Sequence, residues 1–290
     1  MRSEVEMQHS TPLSKTIARQ FLAFLSMVFL FGFLILLSLY LTLFSGKYLE
    51  RQAEKSDYYT NLSEEINKQI ENTALGSNIP AGVLEIAVTE AFVKEDVKSY
   101  LTAMYNRGKD FELKNQKNVH NSVTEKIKRY AADKGIDVTK DTENSILLLA
   151  DRSVEIYDGY IELPFLVSFT NRMIGYKSKL LLFMIVCGIL WAILSAVLFS
   201  SLRGYFHRLV RFWGYIFTGG GLMMIVLPAF FLLTGVLKRL GIQSKAMYGF
   251  VQTYLASFLQ MFIVMGIISV AIGVFFALFS EFQRKRMLRQ

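Results

Sequence analysis

The sequence predicts an all-α membrane protein: four transmembrane helices, with a helical extracytoplasmic domain inserted between the first and the second. Three observations carry this. Four charge-free runs, 21–44, 180–202, 212–237 and 247–280, interrupt a chain of 290 residues; each exceeds the roughly 20 residues that cross a hydrocarbon core. The segment between the first two runs is polar and shows apolar residues at helical spacing. Basic residues gather at the ends of the runs.

The first run follows Lys15 and Arg19. It is too long for a signal-peptide core, and 42–46 lacks a small-x-small cleavage pattern, so an uncleaved anchor is expected. The expected order is a tail over 1–20, spans over 21–45, 178–202, 212–237 and 249–280, an extracytoplasmic helical domain over 46–177, loops over 203–211 and 238–248, and a basic tail over 281–290.

Orientation follows from the short segments. With the N-terminus inside, Arg2, Lys15, Arg19, Arg203, Arg208, Arg211, Arg284, Lys285, Arg286 and Arg289 are cytoplasmic, against Lys238, Arg239 and Lys245 outside. A multi-pass plasma-membrane protein with both termini cytoplasmic is expected.

Residues 47–178 hold 18 Lys+Arg and 21 Asp+Glu. The net charge of +8 therefore belongs to the ends of the spans, where it suits anionic head groups, and nothing supports nucleic-acid binding. The single cysteine, Cys187, lies in the second span, so the insert is held by packing alone. An exported domain without cysteine hints at a Gram-positive bacterium.

Within the insert, Leu62, Ile66 and Ile70 form one helical face, expected to extend the first span as far as Thr73. Residues 76–80 form a breaker. Pro80 suits the start of a short helix bearing Val83, Leu84 and Ala87. Thr89 is an N-cap candidate for a helix carrying Val93, Val97, Tyr100, Leu101 and Met104, ending near Gly108. Val119, Val123, Ile127 and Tyr130 mark another helix, stopped at Gly135. Asp141 is a cap candidate for the last, which carries Ile146, Leu149, Ala150, Val154 and Tyr157 and stops near Gly159.

In the spans, Gly188, Ala192, Ala196 and Ser200 repeat at every fourth position, as do Ser269, Gly273 and Ala277. Such faces allow close helix approach in lipid and suit either the bundle or a homo-oligomer. Gly219, Gly220 and Gly221, followed by Pro228, mark a candidate hinge or binding-site break, although Gly and Pro are common in membrane helices. Trp213 and Tyr215 read as interfacial anchors. The spans hold no ionisable residue, which disfavours a proton-coupled pump. Gln260 suits a cross-helix hydrogen bond.

No catalytic chemistry assembles. His9, His120 and His207 fall in three separate segments, so no histidine-pair metal site or triad is expected. A Gly-rich phosphate loop is absent. Glu64 with Glu65, and Glu95 with Asp96, read as solvated helix faces. Asn61-Leu62-Ser63 matches a glycosylation acceptor, relevant only in a eukaryotic secretory pathway. No enzyme, cofactor or metal is expected.

Ile79-Pro80-Ala81-Gly82-Val83-Leu84, Val88-Thr89-Glu90-Ala91-Phe92-Val93, Asp96-Val97-Lys98-Ser99-Tyr100-Leu101 and the turn Tyr105-Asn106-Arg107-Gly108 carry a resemblance. It is to the extracellular region of uncharacterised four-span membrane proteins of low-GC Gram-positive bacteria, and it implies a layout but no activity. In topology alone the chain is similar to membrane subunits of the FtsX and MacB type, which implies an ATPase partner; residues 203–211 are shorter than the coupling segment of those proteins. The leading expectation is a non-enzymatic protein whose insert, 47–176, binds a protein partner or senses an external signal, with the lipid bilayer around its spans. An ATPase-coupled subunit and an oligomeric channel or small-solute transporter are the alternatives.

Overall fold

A computed structural model describes residues 13–105, 112–162, 164–202 and 206–287. Arg2, His9, Gly108, Arg203 and Arg289 lie outside them. Among the described residues, nine α-helices and one short 3-10 turn account for the regular structure and no strand occurs. The helices are α1 (Leu13–Leu43), α2 (Gly46–Lys55), α3 (Tyr58–Leu75), α4 (Glu90–Tyr105), α5 (Gln116–Asp133), α6 (Lys140–Ile161), α7 (Pro164–Ser201), α8 (Phe206–Leu233) and α9 (Lys245–Met287). Four helical stretches are long and apolar enough to cross a membrane: Lys15–Leu43, Arg172–Ser201, Arg208–Leu233 and Lys245–Lys285. The chain therefore has the character of a multi-pass membrane protein.

The helices form two compact units. One comprises Met1–Leu41, Ser178–Gly235 and Phe258–Gln290; the other comprises Thr42–Lys177 together with Val236–Ser257. From the sequence, the insert is expected over 46–177 and the fourth span over 249–280. The second unit, called the helical unit below, takes in the head of α9 as well.

In the apolar unit, Ala23, Leu30, Leu198, Leu209 and Ile216 form a buried cluster backed by Trp191 and Phe217. Large apolar side chains such as Phe183, Ile189, Val226, Ile267 and Phe275 face outward, which is consistent with contact to lipid. Trp213 does not sit as a free anchor: its ring packs edge-on against Phe276, with centroids 5.5 Å apart. Gln260 faces outward and makes none of the cross-helix bonds expected of it.

Local chemistry explains the helices of the other unit. The helix expected to continue α1 is two helices instead. Ser45 stops that continuation: its Oγ accepts from Tyr48 N at 3.2 Å and caps α2. Asp57, in a left-handed conformation with φ 51°, separates α2 from α3. Tyr105 packs on Gly46 and donates its hydroxyl to Leu43 O at 3.0 Å, satisfying one of the carbonyls that end α1.

Residues 80–88 are two successive turns and not a short helix; Gly82, at φ 88°, permits the bend. Leu84, Ala87 and Val88 are nonetheless buried. Asn67 pins this segment to α3, accepting from Val88 N at 2.8 Å and donating to Val88 O at 2.7 Å. Thr89 caps α4 by accepting from Phe92 N.

At the end of α5, Gly135 N donates to Ala132 O and Ile136 N to Ala131 O, with Gly135 left-handed at φ 65°; this pair makes a Schellman motif. The cap of α6 is Thr139, which accepts from Thr142 N at 3.3 Å. Asp141 lies in the first turn, where a carboxylate favours the helix dipole. The helix passes Gly159 and ends at Ile161.

Candidate functional site

The helical unit is built on stripes of apolar residues at helical spacing. Leu62, Ile66 and Ile70 of α3 meet Val93, Val97 and Leu101 of α4, Val119, Val123 and Ile127 of α5, and Ile146, Leu149 and Tyr157 of α6. Ala246 and Phe250 of α9 complete that core. The ring of Tyr58 lies 5.0 Å from that of Phe250, and burial pushes the Tyr58 phenol well above its usual range.

Glu65 joins α3 to the start of α9. Its Oε1 accepts from Ala246 N at 2.9 Å, and its Oε2 accepts from Ser244 Oγ at 2.8 Å. Ser244 Oγ accepts in turn from Met247 N at 3.0 Å. Two of the unsatisfied amides that open a helix are thus met, one by the local cap and one by a carboxylate far away in the chain. Beside them Lys245 Nζ lies 3.5 Å from Glu64, an exposed pair worth little.

Asp96 is the second organising carboxylate. It is fully buried, which overturns its reading as a solvated residue. It accepts from Lys114 N at 3.0 Å, Asn115 N at 3.1 Å, Asn115 Nδ2 at 3.2 Å and Tyr157 Oη at 2.7 Å. Four donors stand in for the lost water, so a buried charge is tolerated. They tie the segment entering α5, and α6, to α4. Desolvation and then the bond to Asp96 push the Tyr157 phenol up. Next to it, Asp158 accepts from Gln116 Nε2 at 2.7 Å while its Oδ1 is buried without a partner. Its carboxyl is raised above the usual range, chiefly by desolvation.

The helical unit also shows large apolar side chains to solvent. Besides Tyr176 and Val236 they are Leu148, 71% exposed, Ile86, 61% exposed, and Leu75, Ile136, Val138 and Leu147. Their placement follows from helix direction. Tyr58, at the start of α3, and Ile161, at the end of α6, line one small void of about 20 Å³ with Met247 and Phe250. The end of α3 therefore lies toward the start of α6, and with it Leu75, Leu147 and the α5–α6 turn. The head of α9 packs along the unit from Glu65 toward Tyr58, and the opposite end exposes Leu75, Ile136 and Val138 among charged residues such as Lys134 and Asp137.

The spans contribute a packed seam. An added Cβ on Gly221 would fall 2.6 Å from Gly266 O, and one on Gly266 would fall 2.7 Å from Gly221 O. A Cβ on Gly273 would collide with Thr218 Oγ1. Ala277 lies against Gly214, and Ser269 Oγ donates to Phe217 O at 2.8 Å. Ser269, Gly273 and Ala277 thus face α8 together.

Gly219, Gly220 and Gly221 do not interrupt α8, nor does Pro228, which lies inside it. Gly219 meets Met27 of α1, and Gly221 meets α9. Gly188 lies against Phe33, whereas Ala192 and Ala196 face outward; the inward face of α7 carries Trp191, Ser195 and Leu198. Gly214 and Gly266 also belong to this seam, outside the four-residue spacing of small residues. The signal for them was there: Gly214 and Gly221, like Gly266 and Gly273, stand one heptad apart.

Among the described residues no group of three or more His, Cys, Asp or Glu is arranged to hold a metal ion. His120 lies 3.4 Å from Asp151, an exposed contact between α5 and α6. Comparison with protein-family models, with curated proteins and with solved structures finds no match for this chain.

Proposed function

We propose that this chain is a non-enzymatic plasma-membrane protein whose helical unit stands outside the cell and binds a protein partner through the end bearing Leu148. The observation that supports this is the group of uncovered apolar side chains at that end. Large apolar surface on a water-facing domain marks interaction sites more often than chance. The charge distribution of the short segments supports the outward placement, with both termini inside. Binding at that end would bear on α3 and α6, and so on the Glu65 contact that holds the head of α9; this makes the unit a reader of an external signal as well as a tether.

A photo-crosslinking residue at Leu148, in the full chain in its native membrane, tests the reading. The expected result is a discrete crosslinked product that disappears when Ile136 and Leu147 are changed to Asp. A crosslinker at exposed Lys68 serves as the control. Equal products from both positions, or none from Leu148, would overturn the proposal.

A further inference from the structure

Between α1 and α8, within the apolar unit, runs a groove of about 180 Å³ lined by Ala23, Phe24, Met27, Phe212, Tyr215 and Ile216, with Gln20 as its one amide side chain. Its lining is almost wholly apolar, and it has far more room than one water, whose share of liquid is about 30 Å³. The groove lies in two of the apolar stretches long enough to cross a membrane, so hydrocarbon is the medium that meets it.

The residues leading into the groove are basic. On α1, Lys15 and Arg19 precede Ala23 and Met27 at intervals of four, hence on one face. On α8, Arg211 precedes Tyr215 by the same interval. Arg19 is already engaged, donating to Ser201 Oγ at 3.0 Å and Ser201 O at 2.7 Å. Lys15 is exposed. Arg211 is half-exposed, its nearest carboxylate being Glu281 at 3.9 Å, beyond a good charge-assisted bond. An apolar slot with an exposed lysine and a weakly paired arginine at one mouth matches a molecule with a chain and an anionic head, and basic pockets between membrane helices bind such head groups.

We propose that this groove is a binding site for an anionic phospholipid, with one acyl chain between α1 and α8 and its phosphate held by Lys15 and Arg211. Thermal unfolding of the full chain in mild detergent tests it, with added phosphatidylglycerol, phosphatidylcholine or inorganic phosphate. Phosphatidylglycerol should raise the midpoint by several degrees, at concentrations at least about five-fold lower than phosphatidylcholine needs, and inorganic phosphate should do nothing. K15Q/R211Q, which alters only exposed side chains, should reduce the phosphatidylglycerol response to that of phosphatidylcholine. A23F, which fills the slot, should remove both responses. Equal responses to the two lipids in the wild type, a preference that survives K15Q/R211Q, or an equal response to inorganic phosphate would each overturn the proposal.

Discussion

Glu65 of α3 accepts the Ser244 hydroxyl at 2.8 Å and, with its other oxygen, the Ala246 amide at 2.9 Å. One carboxylate thereby caps a 43-residue helix from a distant point in the chain. A helix of that length extends about 65 Å, roughly twice the ~30 Å of a hydrocarbon core. Its head is accordingly spent on protein contacts, with Ala246 and Phe250 in the core of the helical unit.

Removing this acceptor should loosen the head of α9. Glu65→Ala is expected to cost about 1–3 kcal/mol, the range for losing a charged acceptor of buried or capping donors. Glu65→Gln, which keeps one accepting oxygen, should cost less. Limited proteolysis between Leu237 and Ser244 should speed up in the Ala variant and change little in the Gln variant.

Asp96 predicts a larger effect. Asp96→Ala leaves the Lys114 and Asn115 amides without their acceptor, while the Tyr157 hydroxyl can still donate to Phe92 O at 3.1 Å; unmet buried donors cost about 1–3 kcal/mol each. A loss of at least about 2 kcal/mol is expected in denaturant unfolding of the helical unit. Tyr157→Phe removes one donor and should cost about 1–2 kcal/mol. Equal losses for the two variants would contradict Asp96 as the hub.

The raised Asp158 carboxyl has a definite sign. A group whose folded pKa lies above its unfolded value gives stability that is full below the unfolded pKa and is lost as pH rises through the folded one. Ionised Asp158 therefore weighs against the fold near neutrality. Asp158→Asn should raise the unfolding midpoint at pH 7–8, and the gain should shrink toward pH 4. Since Gln116 donates to Asp158 Oδ2, the amide oxygen can keep that bond.

In the spans, neighbouring glycines should behave in opposite ways. Gly221→Ala places a methyl group against Gly266 O at 2.6 Å, so the α8–α9 seam must part and the midpoint in detergent should fall. At Gly220 the nearest atoms lie 3.8 Å away, and Ala is a better helix former by about 0.5–1 kcal/mol. Gly220→Ala should be neutral or stabilising. If the triplet served as a hinge, both changes would alter function and stability together.

The spans were legible because four charge-free runs permit little else, and α4 and α5 because their apolar spacing, Thr89 and Gly135 agree. What stayed hidden has physical causes. The head of α9 could not be separated from its span, since residues buried in protein and in lipid share one composition: Ala246 and Phe250 read like Ala256 and Phe262. Glu95 and Asp96 are adjacent acids, and only the arrival of Lys114, Asn115 and Tyr157 from elsewhere makes the second one buried. The break at Asp57 contains neither Gly nor Pro. The glycine triplet needed its partners, Met27 for Gly219 and Gly266 for Gly221, to show close approach.

The proposal that the helical unit faces outward is tested most directly by single-cysteine labelling in intact cells. With Cys187→Ser as background, Asp137→Cys reports the helical unit and Lys285→Cys reports the end of α9. A membrane-impermeant maleimide should label the Asp137→Cys variant in intact cells and the Lys285→Cys variant only after permeabilisation. The reverse pattern, or equal labelling of both in intact cells, would contradict the account.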